Sequence, residues 1–151
     1  MTRSQPKTGR TSAAASGAPT ARIGLYLTTA TFNEARSAYL ADWQNGGEAD
    51  TFVRWIAAAM EAHAARSSSE RIALARPVSV RGQGDTRSFT VPAATVRRMR
   101  AAIAEDNAAG HWPSESAWCV DAINVQIAAA RLRSGGDLPV PPTRLPNRLV
   151  R

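Results

Sequence analysis

Residues 23–32 read Ile23-Gly24-Leu25-Tyr26-Leu27-Thr28-Thr29-Ala30-Thr31-Phe32, and an aligned stretch follows 64 positions later as Arg87-Ser88-Phe89-Thr90-Val91-Pro92-Ala93-Ala94-Thr95-Val96. Each copy is a short alternating run, a helix-start signal, a helical stretch, a break that contains glycine, and a second helical stretch. The sequence therefore predicts a strand and two helices, twice over. Because a unit of this size cannot close a hydrophobic core alone, we expect the two copies to pack against each other.

The first copy begins with the period of a half-buried strand. Its apolar face is Ile23, Leu25 and Leu27, and its other face is Arg22, Gly24 and Tyr26. Thr28 or Thr29 supplies a capping oxygen for the first helix, which we expect to end at Asn45-Gly46-Gly47. A second helix is predicted from Glu48 and is expected to fray at residues 66–69.

The second copy follows the same plan, with Phe89 and Val91 turned inward and Pro92 at a helix start. Ser114 is the predicted cap of the last helix, and the loop around His111 and Trp112 is expected to be about two residues longer than its counterpart. Arg87 aligns with the inward Ile23, so we expect it to lie at the start of the strand and to turn its charge outward.

Composition shifts divide the chain into five parts. Residues 1–21 form a basic arm that we expect to be disordered, and residues 134–151 form a tail rich in proline and arginine. The two strand-helix-helix units occupy 22–66 and 86–133, and are called the first and second unit below. Residues 67–85 join them, and around Pro77-Val78-Ser79-Val80 either a plain linker or an extra hairpin strand remains open.

Charge and composition limit the function. Nineteen basic residues against twelve acidic ones indicate a polyanionic partner, with nucleic acid favoured over a membrane. No apolar run is long enough to span a bilayer, no secretory leader is visible, and the lone Cys119 cannot form an internal disulfide, so a cytoplasmic location is expected. Phosphate loops, nucleophile elbows and metal-ligand spacing are absent from the sequence, so we expect no enzyme, no metal and no cofactor.

The sequence resembles the ribbon-helix-helix DNA-binding proteins in two features. These are the strand-to-helix junctions at 27–32 and 91–96, and the aromatic residues near the start of each second helix, Phe52 and Trp118. The usual form of that family is a homodimer of one strand-helix-helix unit. The resemblance implies a mainly α fold with a short antiparallel β-ribbon, in which the two units of one chain form an intramolecular pseudo-dimer. It also implies that the ribbon enters the major groove of double-stranded DNA.

The resemblance assigns roles to particular residues. The expected base contacts are Arg22, Gly24, Tyr26, Thr86, Ser88 and Thr90. The expected phosphate contacts are Ser114, Glu115, Ser116, Arg87 and Arg97. In the family, backbone amides at the start of the second helix bind phosphates of the DNA. In the first unit the matching residues are expected to be 48–50, where two carboxylates would repel a phosphate.

The basic arm makes the chain similar to plasmid partition proteins of the ParB/ParG centromere-binding kind. That resemblance implies a Walker-type, ParA-like ATPase as partner, contacted by Arg3, Lys7 and Arg10, and a protein associated with the plasmid or nucleoid. A transcriptional repressor or an antitoxin of the same fold fits the sequence as well, and self-association along DNA is left open. The alternative from another class is a protein-interaction adaptor that presents Leu138-Pro139-Val140-Pro141-Pro142 as an extended ligand.

Overall fold

The computed structural model describes residues 17–77 and 83–151. Within them the order of elements is β1 (Thr20–Thr28), α1 (Thr29–Gln44), α2 (Phe52–Ala64), α3 (Ser68–Leu74), β2 (Gly84–Pro92), α4 (Ala93–Ala108) and α5 (Glu115–Arg133). The prediction of a mainly α fold with a short antiparallel β-ribbon is confirmed. The basic arm lies largely outside the described residues, as do Val78, Ser79 and Val80 of the suggested extra strand.

The ribbon consists of β1 and β2, paired antiparallel with Gly24 opposite Ser88 at its centre. Both strands are two residues longer at their start than the sequence predicted. Two equivalent hydrogen bonds extend the pairing beyond the strands: Thr29 N donates to the carbonyl of Gln83 (2.8 Å) and Ala93 N to that of Pro19 (2.9 Å). The opposite strand therefore satisfies the first N–H of each helix, which has no partner inside the helix itself.

The first helices of the two units match closely, because α1 and α4 each span 16 residues. Thr28 accepts a hydrogen bond from Thr31 N and caps α1, whereas Pro92 precedes α4 without a side-chain bond. After each helix comes a glycine with φ of 92°, Gly46 and Gly110, a conformation that glycine adopts without steric cost.

The start of α2 and the relative lengths of the two inter-helix loops differ from the prediction. The helix expected from Glu48 begins instead at Phe52, because the side chain of Thr51 accepts from Arg54 N and caps it there. As a result seven residues separate α1 from α2, whereas six separate α4 from α5. The second loop is thus one residue shorter than the first, and the prediction that it is about two residues longer around His111 and Trp112 was wrong.

The hydrophobic core lies between the units rather than inside either one. Helix α1 packs chiefly on α5, and α2 packs on both α4 and α5, while contacts between the two helices of one unit are sparse. The apolar face of the ribbon closes this core, with Leu25, Leu27 and Val91 at most 1 % exposed. Neither unit has a core of its own, so burial of apolar surface holds the two units together.

Two ion pairs involve aspartates at matching positions of the two units, one reaching the other unit and one reaching the connecting segment. Asp42, near the end of α1, accepts from Arg133 at the end of α5, with 2.7 Å between Oδ1 and Nη2. Asp106, at the matching position of α4, accepts from Arg71 of α3, with 3.0 Å between Oδ1 and Nη2. Both side chains of the second pair are 1 % exposed, so it is a buried ion pair.

The short helix α3 was not predicted, because its sequence Ser67-Ser68-Ser69 looks like a fraying end. A capping box forms it: Ser67 Oγ accepts from Glu70 N, and the Glu70 carboxylate accepts from Ser67 N. Arg71 then donates to backbone carbonyls of Ala64, Arg66 and Ala102 as well as to Asp106. The helix therefore closes the end of α2 over α4.

Candidate nucleic-acid interface

All six residues predicted to contact bases lie on the exposed face of the ribbon. They form three cross-strand pairs, Arg22 with Thr90, Gly24 with Ser88, and Tyr26 with Thr86. The alternation of the strands puts every second residue on this face, and the opposite face is buried in the core. The face offers one guanidinium, four hydroxyls and a bare glycine backbone, a set that can donate and accept hydrogen bonds along a two-stranded ribbon.

The residues at the centre of this face, Gly24 and Ser88, have small side chains or none. A Cβ built on Gly24 would meet only the methyl Cγ2 of Thr86, at 3.5 Å, which is ordinary van der Waals contact. The backbone conformation of Gly24 is open to any residue, because its φ is not positive. The glycine is therefore not required by the fold of the chain itself, and it leaves a low point where another molecule can approach the backbone.

The start of α5 lies beside the free edge of β1. Ser114 caps the helix by accepting from Ala117 N, as predicted. Ser116 Oγ accepts from the backbone N of Tyr26, at 3.0 Å, so this hydroxyl ties the strand edge to the helix. The carboxylate of Glu115 accepts from Arg100 Nε at 2.9 Å, which compensates the charge that would otherwise oppose an anion. Of the three predicted phosphate contacts at the start of α5, Glu115 and Ser116 thus have structural partners that the sequence did not suggest.

The start of α2 is the corresponding place in the first unit, beside β2. The ring centroid of Phe52 lies 6.1 Å from that of Phe89, directly under the ribbon. Because the cap is Thr51, the residues that match 114–116 are 51–53, and the assignment of this role to 48–50 was wrong. The carboxylate of Asp50 precedes the cap and is bonded by Arg54 and Arg148.

The arginines predicted to contact phosphate are differently placed. Arg87 is opposite Leu25 in the middle of β2, and its guanidinium lies over the ring of Phe32, 3.6 Å from the centroid. It is thus on the core-facing side, and the expectation of a position at the strand's start with its charge turned outward was wrong. Arg97 is exposed on α4 and forms no ion pair within the described residues.

The neighbours of Arg97 on α4 are engaged elsewhere. Arg98 pairs with Glu61 of α2, at 2.6 Å, and Arg100 pairs with Glu115 of α5. Bonds from Arg98 hold the pKa of Glu61 below its usual range, despite the opposing effect of partial burial. These two arginines serve contacts between helices, so Arg97 is the member of the group whose guanidinium is available to a ligand.

A buried histidine, His63, lies below the surface between the units. His63 is 1 % exposed and contacts Trp118 edge to face, with 4.7 Å between ring centroids. Burial, the largest cause, together with the charges of Arg66 and Arg71 lowers the pKa of His63 to about 4, against the opposing charge of Asp106. Arg66 Nη1 lies 3.0 Å from Nδ1 of the ring, and since a guanidinium can only donate, Nδ1 is the acceptor and the ring is neutral.

The remaining predictions on partners fall outside this surface. Arg3, Lys7 and Arg10 lie outside the described residues. In residues 17–77 and 83–151 there is no cluster of three or more His, Cys, Asp or Glu side chains that could hold a metal ion. Over the same residues, every helix is too short or too polar to cross a membrane.

No protein-family model, curated protein or solved structure matches the chain.

Proposed function

We propose that the chain is a ribbon-helix-helix protein folded as a single-chain pseudo-dimer. Three features support this proposal: equivalent elements recur 64 positions apart, the core lies between the units, and Asp42 of the first unit forms an ion pair with Arg133 of the second. In a homodimer of such units the same contacts would join two chains. Here the segment around α3 connects them covalently.

The function that this surface supports best is sequence-specific binding of double-stranded DNA through the major groove. The exposed face of the ribbon carries the proposal. A two-stranded ribbon fits the width of the major groove, where Arg22 can donate two hydrogen bonds to guanine and the hydroxyls can bond to any base edge. The α5 start and Arg97 would then position the DNA backbone, while the ribbon reads the sequence.

The ribbon face is not symmetric, which has a consequence for the target. One end presents Arg22 beside Thr90 and the other presents Tyr26 beside Thr86. A symmetric dimer would present the same pair at both ends and would read an inverted repeat. We therefore infer that the target is not palindromic, with a guanine contacted in one half only.

Within this function we favour plasmid or replicon partition, in a protein of the cytoplasm that binds centromere DNA. The basic N-terminal arm supports this choice, since Arg3, Lys7 and Arg10 would be available to a ParA-like ATPase. Repression of a promoter or an antitoxin role would use the same ribbon.

The test is DNA binding measured by fluorescence anisotropy over a salt series, with DNA from the protein's own locus compared with scrambled DNA. Arg22→Ala is expected to weaken binding of the cognate site by about 1–3 kcal/mol, or roughly 5- to 150-fold, and to relax preference at one base position. Arg131→Ala is the control, because it removes one charge from the far half of α5. Equal loss in both variants would exclude base contact by Arg22, and a wild-type chain indifferent to sequence would favour the adaptor.

A further inference from the structure

The C-terminal segment, residues 134–151, is docked on the first unit. Leu149 N donates to the carbonyl of Asp50 at 2.8 Å, and Arg36 donates to the carbonyl of Pro142. Arg151 lies over the ring of Trp43, 3.7 Å from its centroid, and donates to the backbone carbonyls of Trp43 and Gly47. The apolar side chains that pack against the core from this segment are Leu138, Leu145 and Leu149.

This docking brings a second arginine to the start of α2. Arg54 Nη1 donates to Asp50 Oδ1 at 2.8 Å, and Arg148 Nε lies 3.1 Å from Asp50 Oδ2. Two guanidinium groups therefore share one carboxylate, and this arginine cluster of Arg54, Asp50 and Arg148 has a net charge of +1. The two arginine side chains are 62 % and 60 % exposed, and the terminal amino groups of Arg148 have no partner among the described residues.

The cluster lies on the side of the ribbon that corresponds to the start of α5. Asp50 directly precedes Thr51, the cap of α2, which matches Ser114 of α5, and the ring of Phe52 contacts that of Phe89 beneath β2. The loop by itself is acidic, because Glu48 and Asp50 carry its only charges. Without Arg148, the cluster would hold one guanidinium and one carboxylate and would offer no net attraction to an anion.

We propose that the C-terminal segment folds back to supply Arg148 to this flank of the ribbon, where the arginine cluster binds a phosphate of the DNA backbone. The proposal rests on the DNA-binding function and adds a partner surface to it. A guanidinium suits this role, since its planar set of N–H donors can bond to Asp50 and to a phosphate oxygen together. The contact positions the duplex on the first-unit side and carries no sequence information of its own.

The test is the salt dependence of DNA binding by Arg148→Gln. Loss of one phosphate contact is expected to reduce the slope of log K against log salt by about 0.9, with the ratio of cognate to scrambled affinity unchanged. Arg131→Gln is the matched control: it removes the same charge from a surface ion pair about 22 Å along α5 from Ser116, and its slope should stay at the wild-type value.

A second variant tests the arginine cluster without changing the C-terminal segment, so its result does not depend on whether Arg148→Gln undocks that segment. Arg54→Gln changes the same cluster from within α2, and it should lower the slope by a similar amount. An unchanged slope for Arg148→Gln, with specific binding intact, overturns the role of the C-terminal segment even if Arg54→Gln has an effect. A wild-type chain that binds all DNA equally or none overturns the proposed function instead, so the two failures can be told apart.

Discussion

Replacing Asp106 with Asn is expected to be the most damaging conservative change in the chain. The substitution keeps the shape of the side chain and removes the buried charge that faces the guanidinium of Arg71. Both side chains are 1 % exposed, and the remaining carboxylate near Arg71, that of Glu105, is 65 % exposed. Breaking a buried ion pair by removing one partner costs about 3–5 kcal/mol, because the other charge is left in a low dielectric.

Two substitutions at more exposed ion pairs provide a scale for the free-energy cost of Asp106→Asn. Asp42→Asn affects the equivalent ion pair, but Asp42 is 12 % and Arg133 49 % exposed, so water compensates more of the loss and about 1–3 kcal/mol is expected. Glu34→Gln affects a surface pair with Arg131, in which both side chains are more than 40 % exposed, and it should cost at most about 1 kcal/mol.

Urea denaturation followed by circular dichroism measures these free energies of unfolding, provided that the slope with denaturant is unchanged. The expected order of cost is Asp106→Asn, then Asp42→Asn, then Glu34→Gln. The double variant Arg71→Met with Asp106→Leu removes the unpaired buried charge but also the donor to the carbonyls of Ala64, Arg66 and Ala102, so only part of the loss should return. If Asp106→Asn costs no more than Glu34→Gln, the reasoning about the buried pair is refuted.

The neutral state of His63 predicts a pH dependence of stability. Its folded pKa of about 4 lies below the usual 6.5, so its contribution is complete above pH 6.5 and is lost as the pH falls toward 4, at a total of about 3 kcal/mol. The free energy of unfolding of His63→Phe should therefore fall less than that of the wild type over this range, and parallel curves would contradict the assignment. Gly24→Ala should leave stability within about 0.5 kcal/mol, because the methyl has room, yet weaken binding to cognate DNA by obstructing close approach of the ribbon. Unchanged affinity in that variant would mean that the backbone of Gly24 stays away from the bases.

Much of the local structure could be predicted from the sequence because it depends on short-range patterns. The alternation at 22–27 determined which side chains of β1 are exposed, and the glycines at 46 and 110 ended the first helices where expected. The same patterns misplaced the start of α2 at Glu48, since Thr51 is a weaker signal than an acidic residue after a glycine pair. Likewise α3 was missed, because its capping box involves only Ser67 and Glu70 in a run of serines.

By itself the sequence determined the repeat, the type and order of the main elements, and the exposed face of the ribbon, all of which follow from the period of apolar residues along the chain. Only the tertiary structure decided which charges meet. The pairing of Asp106 with Arg71, the stacking of Arg87 on Phe32 and the docking of Arg148 at Asp50 join residues far apart in sequence. The physical reason is that burial and ion pairing depend on distances between elements, and periodicity within one element does not contain those distances.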